Sequence, residues 1–214
     1  MKLPEVDRLS GPRPAADLAS SPPDALDPAL LETLETIQRR VLWLATSIVH
    51  HANNVRPNPD GTKVGGHQAS SASMVTLMTA LYFHFLAPGD RVAVKPHASP
   101  VFHAIQYLLG RLPRRYLAAL RDFGGLQAYP SRTKDADAVD FSTGSVGLGA
   151  VAPLFAAAAR RYIDAHFPAR ATGRFIALVG DAELDLPEPV RPARRRPAGP
   201  IPGRRGRGGA AVGR

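Results

Sequence analysis

Four short stretches hold the residue types from which a polar, ligand-binding site is built. His67 sits in Gly65-Gly66-His67-Gln68-Ala69-Ser70 and His97 in Lys95-Pro96-His97-Ala98-Ser99, each in a Gly- or Pro-bearing loop that enters a helix. The third, Thr143-Gly144-Ser145-Val146-Gly147-Leu148-Gly149, is a glycine turn leading into a helix, whose first amides and positive dipole end form a natural phosphate cradle. A helix start packed closely on a sheet uses the same glycines. The fourth, Gly180-Asp181-Ala182-Glu183-Leu184-Asp185, follows an apolar run. That aims the Asp181 carboxylate at a sheet edge, where a hard cation bridging phosphate oxygens can sit. An Asp capping the next turn, with Glu183 and Asp185 solvated, is the plainer account of the same residues. His50, His51, His84 and His166 fall on predicted helices as surface or packing residues, and His103, six residues beyond His97, is ambiguous.

The elements that must position these groups follow from periodicity. Asp27-Pro28 reads as an N-cap with proline at the first helical position. Leu30, Leu31, Leu34, Ile37, Val41, Leu44, Ala45 and Ile48 then recur at three- and four-residue steps, predicting one amphipathic helix that ends near Asn53-Asn54. Residues 55–66 are loop, 70–86 a largely apolar helix capped by serines, and 88–90 a turn. A short β-branched strand is predicted over 91–95, helices over 99–109 and 113–123, a polar loop over 124–141, a helix from 147 towards 166, and a buried strand over 174–179. Helices alternating with short apolar strands predict an α/β fold: an incomplete parallel sheet flanked by helices. Residues 1–26, with five Pro and few large apolar groups, are expected to be a disordered leader.

The chain has 214 residues, 27 Lys and Arg against 18 Asp and Glu, and a net charge of +9. Eight Arg and one Glu of that inventory lie in residues 186–214, leaving 19 basic against 17 acidic groups before them, so the body is nearly neutral. The basic balance therefore describes a tail and not a folded surface. Six Pro, six Gly and four Ala accompany those Arg, and neither a helical nor a strand period survives there. With no Cys, a disulfide framework, a thiolate zinc site and a thiol nucleophile are excluded. The apolar runs are too short to span a bilayer and residues 1–21 lack a hydrophobic signal core, so a soluble, cytoplasmic protein is expected.

In this order and spacing, GGHQAS, PHASP, STGSVGLG and GDAELD resemble the N-terminal, diphosphate-binding domain of the transketolase-like thiamine-diphosphate enzymes. The resemblance runs from about residue 34 to 185 and is closest to the branch containing the homodimeric, decarboxylating first component of the pyruvate dehydrogenase complex. It implies a site for thiamine diphosphate and magnesium. Asp181 of Gly180-Asp181-Ala182 would be a magnesium ligand, with Ala182 and Glu183 against the diphosphate. Gly144, Ser145, Val146, Gly147 and Gly149 would form the cofactor-binding turn. His67, with Ser70 close by, and His97 would be the active-site histidines, exchanging protons with, or donating hydrogen bonds to, the carbonyl oxygen of a small 2-oxo acid or ketose.

Three departures bear on activity. The family motif continues to an Asn that completes magnesium coordination, yet this chain has no Asn after Asn58. Lys95 stands where pyruvate-type enzymes carry a neutral polar residue, and Ala182 replaces a Gly. The family also needs a pyrimidine-binding domain carrying the Glu that activates the cofactor. The expected organisation is a leader over 1–26, a partial thiamine-diphosphate-binding domain over 27–185, and an out-of-frame tail over 186–214. The chain is then a truncated enzyme fragment, inactive alone, with apolar surface left uncovered. The alternatives are a non-catalytic polyanion-binding protein acting through its Arg-rich tail, where the lack of interleaved aromatic residues argues against nucleic acid, and a subunit donating half a cofactor site.

Overall fold

The computed structural model describes residues 27–144, 147–167 and 173–180. The predicted leader and Arg-rich tail lie outside them. Helix α1, Pro28–His50, begins as its sequence dictates: the Asp27 carboxylate accepts from the Ala29 amide at 3.1 Å, and Pro28 occupies the first turn, where its missing N–H costs nothing. A π-helical turn, His51–Val55, extends it. Val41, Leu44, Ala45, Ile48 and Val49 form its buried stripe. They pack on α4, Ser99–Leu108, in which Val101, Phe102, Ala104 and Ile105 are all buried. Residues 99–106 are buried without a break, the polar Ser99, His103 and Gln106 included, so α4 runs through the core.

The serine-capped helix predicted over 70–86 is broken in two. Helix α2, Gln68–Ala72, starts at extended His67 without a side-chain cap, and Ser70 lies inside it. Helix α3, Val75–Ala80, continues as a π-turn, Leu81–Phe85. At the break the Ser73 hydroxyl donates to the Ser70 carbonyl at 2.9 Å, the local bond by which serine competes with the helical ladder. The helix predicted over 113–123 shrinks to a 3₁₀ turn, Arg114–Ala118. Leu120 and Leu126 are both buried, and the chain loops between them to form an isolated parallel bridge. Arg121 takes φ 57° and the Leu126 amide donates back to the Ala119 carbonyl at 2.9 Å. Here tertiary burial overrides helical periodicity.

Strands β1, Arg91–Ala93, and β2, Phe175–Ala177, pair in parallel, with Arg91 opposite Phe175 and Ala93 opposite Ala177. Among the described residues this two-stranded parallel sheet, flanked by helices, is consistent with the α/β class expected. Alternate residues of β1 bond to opposite edges: Arg91 N–H donates to the Arg174 carbonyl at 2.8 Å, whereas Val92 N–H donates to Asp140 Oδ2 at 3.0 Å. Both strands are shorter than predicted. Beyond Ala93 the Val94 carbonyl is taken by a side chain and Lys95 turns ahead of Pro96, so the ladder stops. Strand β2 is half-exposed, against the buried strand expected, although β1 and helix α5, Leu148–His166, pack on it. Asp90, at the turn before β1, anchors β2 by accepting from the Arg174 amide and guanidinium, each at 2.6 Å at its shortest, and from the Ala87 amide at 2.9 Å. Among the described residues no helix is long and apolar enough to cross a membrane.

Candidate functional site

The two histidines singled out by their loops come together. His67 and His97 are exposed, 30 positions apart in the chain, and their ring centroids lie 6.5 Å apart. His67 is held from below by α1. The Asn53 carboxamide accepts from the Gly65 amide at 2.6 Å and donates to the Gly66 carbonyl at 3.3 Å, clamping the double-glycine turn. A side chain at Gly65 has no room: its Cβ would sit 2.6 Å from the Val49 carbonyl oxygen. Gly66 takes φ +80°, a left-handed conformation in which glycine carries no penalty. His97 rides on a 3₁₀ turn, Pro96–Ala98, that runs straight into α4.

The glycine turn is fastened to the same loop. Thr143, buried, donates its hydroxyl to the Val94 carbonyl at 2.8 Å, and its amide donates to the Pro130 carbonyl at 2.9 Å. The start of α5 is thereby tied three residues upstream of His97. Gly147, φ +80°, is the N-cap of this 19-residue helix and has no side chain with which to cap it, and the first turn carries no acidic group. Gly149 is buried and Gly144 half-buried. First-turn amides at a long helix's positive end are the donor set a diphosphate requires, so these residues fit an anionic cofactor group. Ser145 and Val146 lie outside the described residues. So do Asp181, Ala182 and Glu183; Gly180, the last residue described before them, is half-buried and follows β2 by three positions. Ser70 is half-buried within α2, one turn from His67.

One constellation escaped the sequence reading. His103, fully buried on α4, has Nδ1 2.7 Å from Asp137 Oδ2, and its Nε2 donates to the Gln127 carbonyl at 3.2 Å. Asp135 lies beside them, and its two carboxylate oxygens accept from the Gln127 and Ser131 amides, both at 2.7 Å. Burial raises the Asp135 carboxyl, and these two amides only partly offset that. A His and two Asp within reach of one another could in principle ligate a cation. Each bonds a protein group through at least one atom, Asp137 Oδ1 being buried without a hydrogen-bond partner among the described residues, and together they pin the long loop before the glycine turn onto α4. Thirty-odd residues separate the partners, so no local spacing announced them.

No protein-family model matches the chain. Among curated proteins it is similar to the pyruvate dehydrogenase E1 component of Cupriavidus necator, 36% identical over 156 residues, covering 68% of this chain and 17% of the relative. It is also similar to those of Mycolicibacterium smegmatis, 34% identical over 170 residues with 72% and 18% covered, and of Escherichia coli K12, 30% identical over 172 residues with 75% and 19% covered. The chain spans about a fifth of the length of the curated relatives it matches. Over some seven-tenths of its own residues, then, the chain is related to the pyruvate dehydrogenase E1 components.

Proposed function

We propose that this chain is the diphosphate-binding part of a thiamine-diphosphate enzyme of pyruvate dehydrogenase E1 type, whose whole decarboxylates a 2-oxo acid. The observation carrying this reading is the convergence of His67 and His97 at 6.5 Å, with the glycine turn fastened to the His97 loop through Thr143. The similarity to E1 components favours decarboxylation over ketol transfer. In this reading the amides of residues 147–149 hold the diphosphate and Asp181 binds magnesium. The cofactor, when bound, supplies the electron sink for the carbanion left by decarboxylation. His67 and His97 flank the substrate carbonyl, where their ring nitrogens donate to, or take a proton from, its oxygen. In this reading activity requires a pyrimidine-binding domain and the full magnesium ligand set of the whole enzyme. Homodimerisation of the whole enzyme belongs to the same reading.

The test is calorimetric titration of thiamine diphosphate with magnesium into the full chain. Binding that weakens on Asp181→Ala, on omission of magnesium, and on Gly149→Val supports the reading. A folded chain that takes up no thiamine diphosphate, or takes it up equally well after Asp181→Ala and Gly149→Val, refutes it.

A further inference from the structure

Two carboxylates and one imidazole meet where the loop before the glycine turn lies on α4, and among the described residues no Lys or Arg forms an ion pair with either carboxylate. One ligand atom from each of His103, Asp135 and Asp137 lies within 4.8 Å of the others. The His103 ring meets acceptors at both nitrogens: Nε2 faces the Gln127 carbonyl at 3.2 Å and Nδ1 faces Asp137 Oδ2 at 2.7 Å. A carbonyl cannot donate, so Nε2 carries a proton, and the Nδ1 contact needs a second one, on the ring or on the carboxyl. Asp137, its side chain 0% exposed, keeps the other oxygen of that carboxylate, Oδ1, buried without a hydrogen-bond partner. Asp135 is half-buried and accepts one amide at each oxygen, which leaves a lone pair on both.

We propose that His103, Asp135 and Asp137 form a structural site for a divalent cation of zinc type, bound through His103 Nδ1 and the two carboxylates. A metal-ligating histidine donates its other ring N–H to a carbonyl or carboxylate, as His103 Nε2 does to Gln127. The ion takes the place of the second proton at Nδ1, and Asp137 Oδ1 gains the partner it lacks. Charge closes as well. Two carboxylates, a neutral imidazole and a dication sum to zero, whereas without the ion the same groups bury net negative charge or take up further protons. Donors around a tetrahedral zinc, each at about 2.0–2.2 Å, sit ~3.4 Å apart. Binding therefore opens the 2.7 Å pair slightly and draws in Asp135, the exposed side by which an ion enters, while the Gln127 and Ser131 amides keep orienting its carboxylate. The ion fastens to α4 the loop whose Pro130 carbonyl holds the Thr143 amide, and it does so independently of any thiamine diphosphate.

The experiment uses the full chain, dialysed against a chelator and titrated with zinc chloride in the absence of thiamine diphosphate. Bound zinc is read by competition with a chromogenic chelator, and stability by thermal unfolding. Zinc at about a hundred times its dissociation constant should raise the midpoint by roughly 5–10 °C. Asp137→Asn keeps the shape and offers His103 Nδ1 a donor, so the chain still folds, as circular dichroism checks, while zinc affinity falls by more than about a hundredfold. Asp135→Asn, at the half-buried corner, should weaken zinc likewise and decides the matter if Asp137→Asn unfolds. His67→Ala and Asp181→Ala should leave zinc uptake unchanged, which separates this site from the paired rings and from the proposed magnesium ligand. Cobalt in place of zinc adds a visible absorption band that either Asn variant should alter, a signature that a merely stabilising side chain would not move. A folded chain that takes up no zinc, uptake undiminished in the Asn variants, or uptake abolished by His67→Ala or Asp181→Ala overturns the proposal. Its failure leaves the proposed function standing, and failure of cofactor binding leaves this site standing, because the two titrations share no ligand.

Discussion

Replacing Thr143 by Val removes one hydroxyl at constant shape from the point where the glycine turn meets the His97 loop. The hydroxyl donates to the Val94 carbonyl at 2.8 Å; Thr143 is 6% and Val94 2% exposed, so water does not take over. A buried carbonyl stripped of its partner costs about 1–3 kcal/mol, and we take ~2 kcal/mol for this site. With a urea dependence of about 2 kcal/mol per molar, the unfolding midpoint falls by about 1 M. Thr143→Ser keeps the hydroxyl and loses one buried methyl, worth about 0.8 kcal/mol, so it should move the midpoint less than half as far. Equilibrium urea unfolding followed by far-ultraviolet circular dichroism reads both. The same order, Val worse than Ser, is expected in thiamine diphosphate affinity, because the start of α5 loses its tie to the His97 loop. A Val variant as stable as the unaltered chain, or a Ser variant less stable than Val, refutes the idea that this hydrogen bond joins the two halves of the site.

Gly65→Ala places a Cβ 2.6 Å from the Val49 carbonyl and 2.8 Å from Asn53 Oδ1; overpacking of this kind costs about 1–3 kcal/mol, seen in denaturant unfolding, and should disorder His67 first. Burial would raise the Asp90 carboxyl, but the Arg174 guanidinium and the amides of Ala87 and Arg174 outweigh it and hold the group below the usual carboxylate range. Its contribution is therefore complete above the ordinary carboxylate pKa near 4 and is lost as pH falls through the lower folded value. Asp90→Asn should cost about 2 kcal/mol at pH 7, between exposed and buried pairs because Arg174 is partly exposed, and should flatten the acid limb of a stability-against-pH profile. His103→Leu leaves the Asp137 carboxylate buried without its partner and should cost about 3–5 kcal/mol in urea unfolding, of which Asp137→Asn in the same chain recovers part.

Much of the architecture was legible because it is local. The Asp27-Pro28 start of α1, its buried stripe and the 19-residue α5 after Gly147 follow from caps and 3.6-residue periodicity, which depend on near neighbours. The 113–123 helix was misread for the opposite reason: Leu120 and Leu126 share a burial site that a continuous helix cannot satisfy, and periodicity carries no information about it. Strand β2 was read as buried from its apolar letters, whereas burial belongs to what packs on it. Within the site, His67 and His97 stood out through the Gly and Pro flanking them. The His103–Asp137 pair did not, since its meaning comes from a partner distant in sequence.

The parallel pairing of β1 with β2 also sets an order of assembly. Arg174 meets Asp90 across 84 residues, and closing so long a loop costs entropy before any ladder bond forms. The contacts of α1 with α2, α3 and α4 close shorter loops and bury more apolar surface. Residues 27–144 are thus expected to collapse first, with β2 docking as a late step whose rate follows its long reach. In native-state hydrogen exchange the amides of Arg91 and Leu178, bonded across that seam, should open at lower free energy than those of Val101 and Ile105 inside α4. The strand that carries the chain towards Asp181 is then the last to arrive and the first to leave.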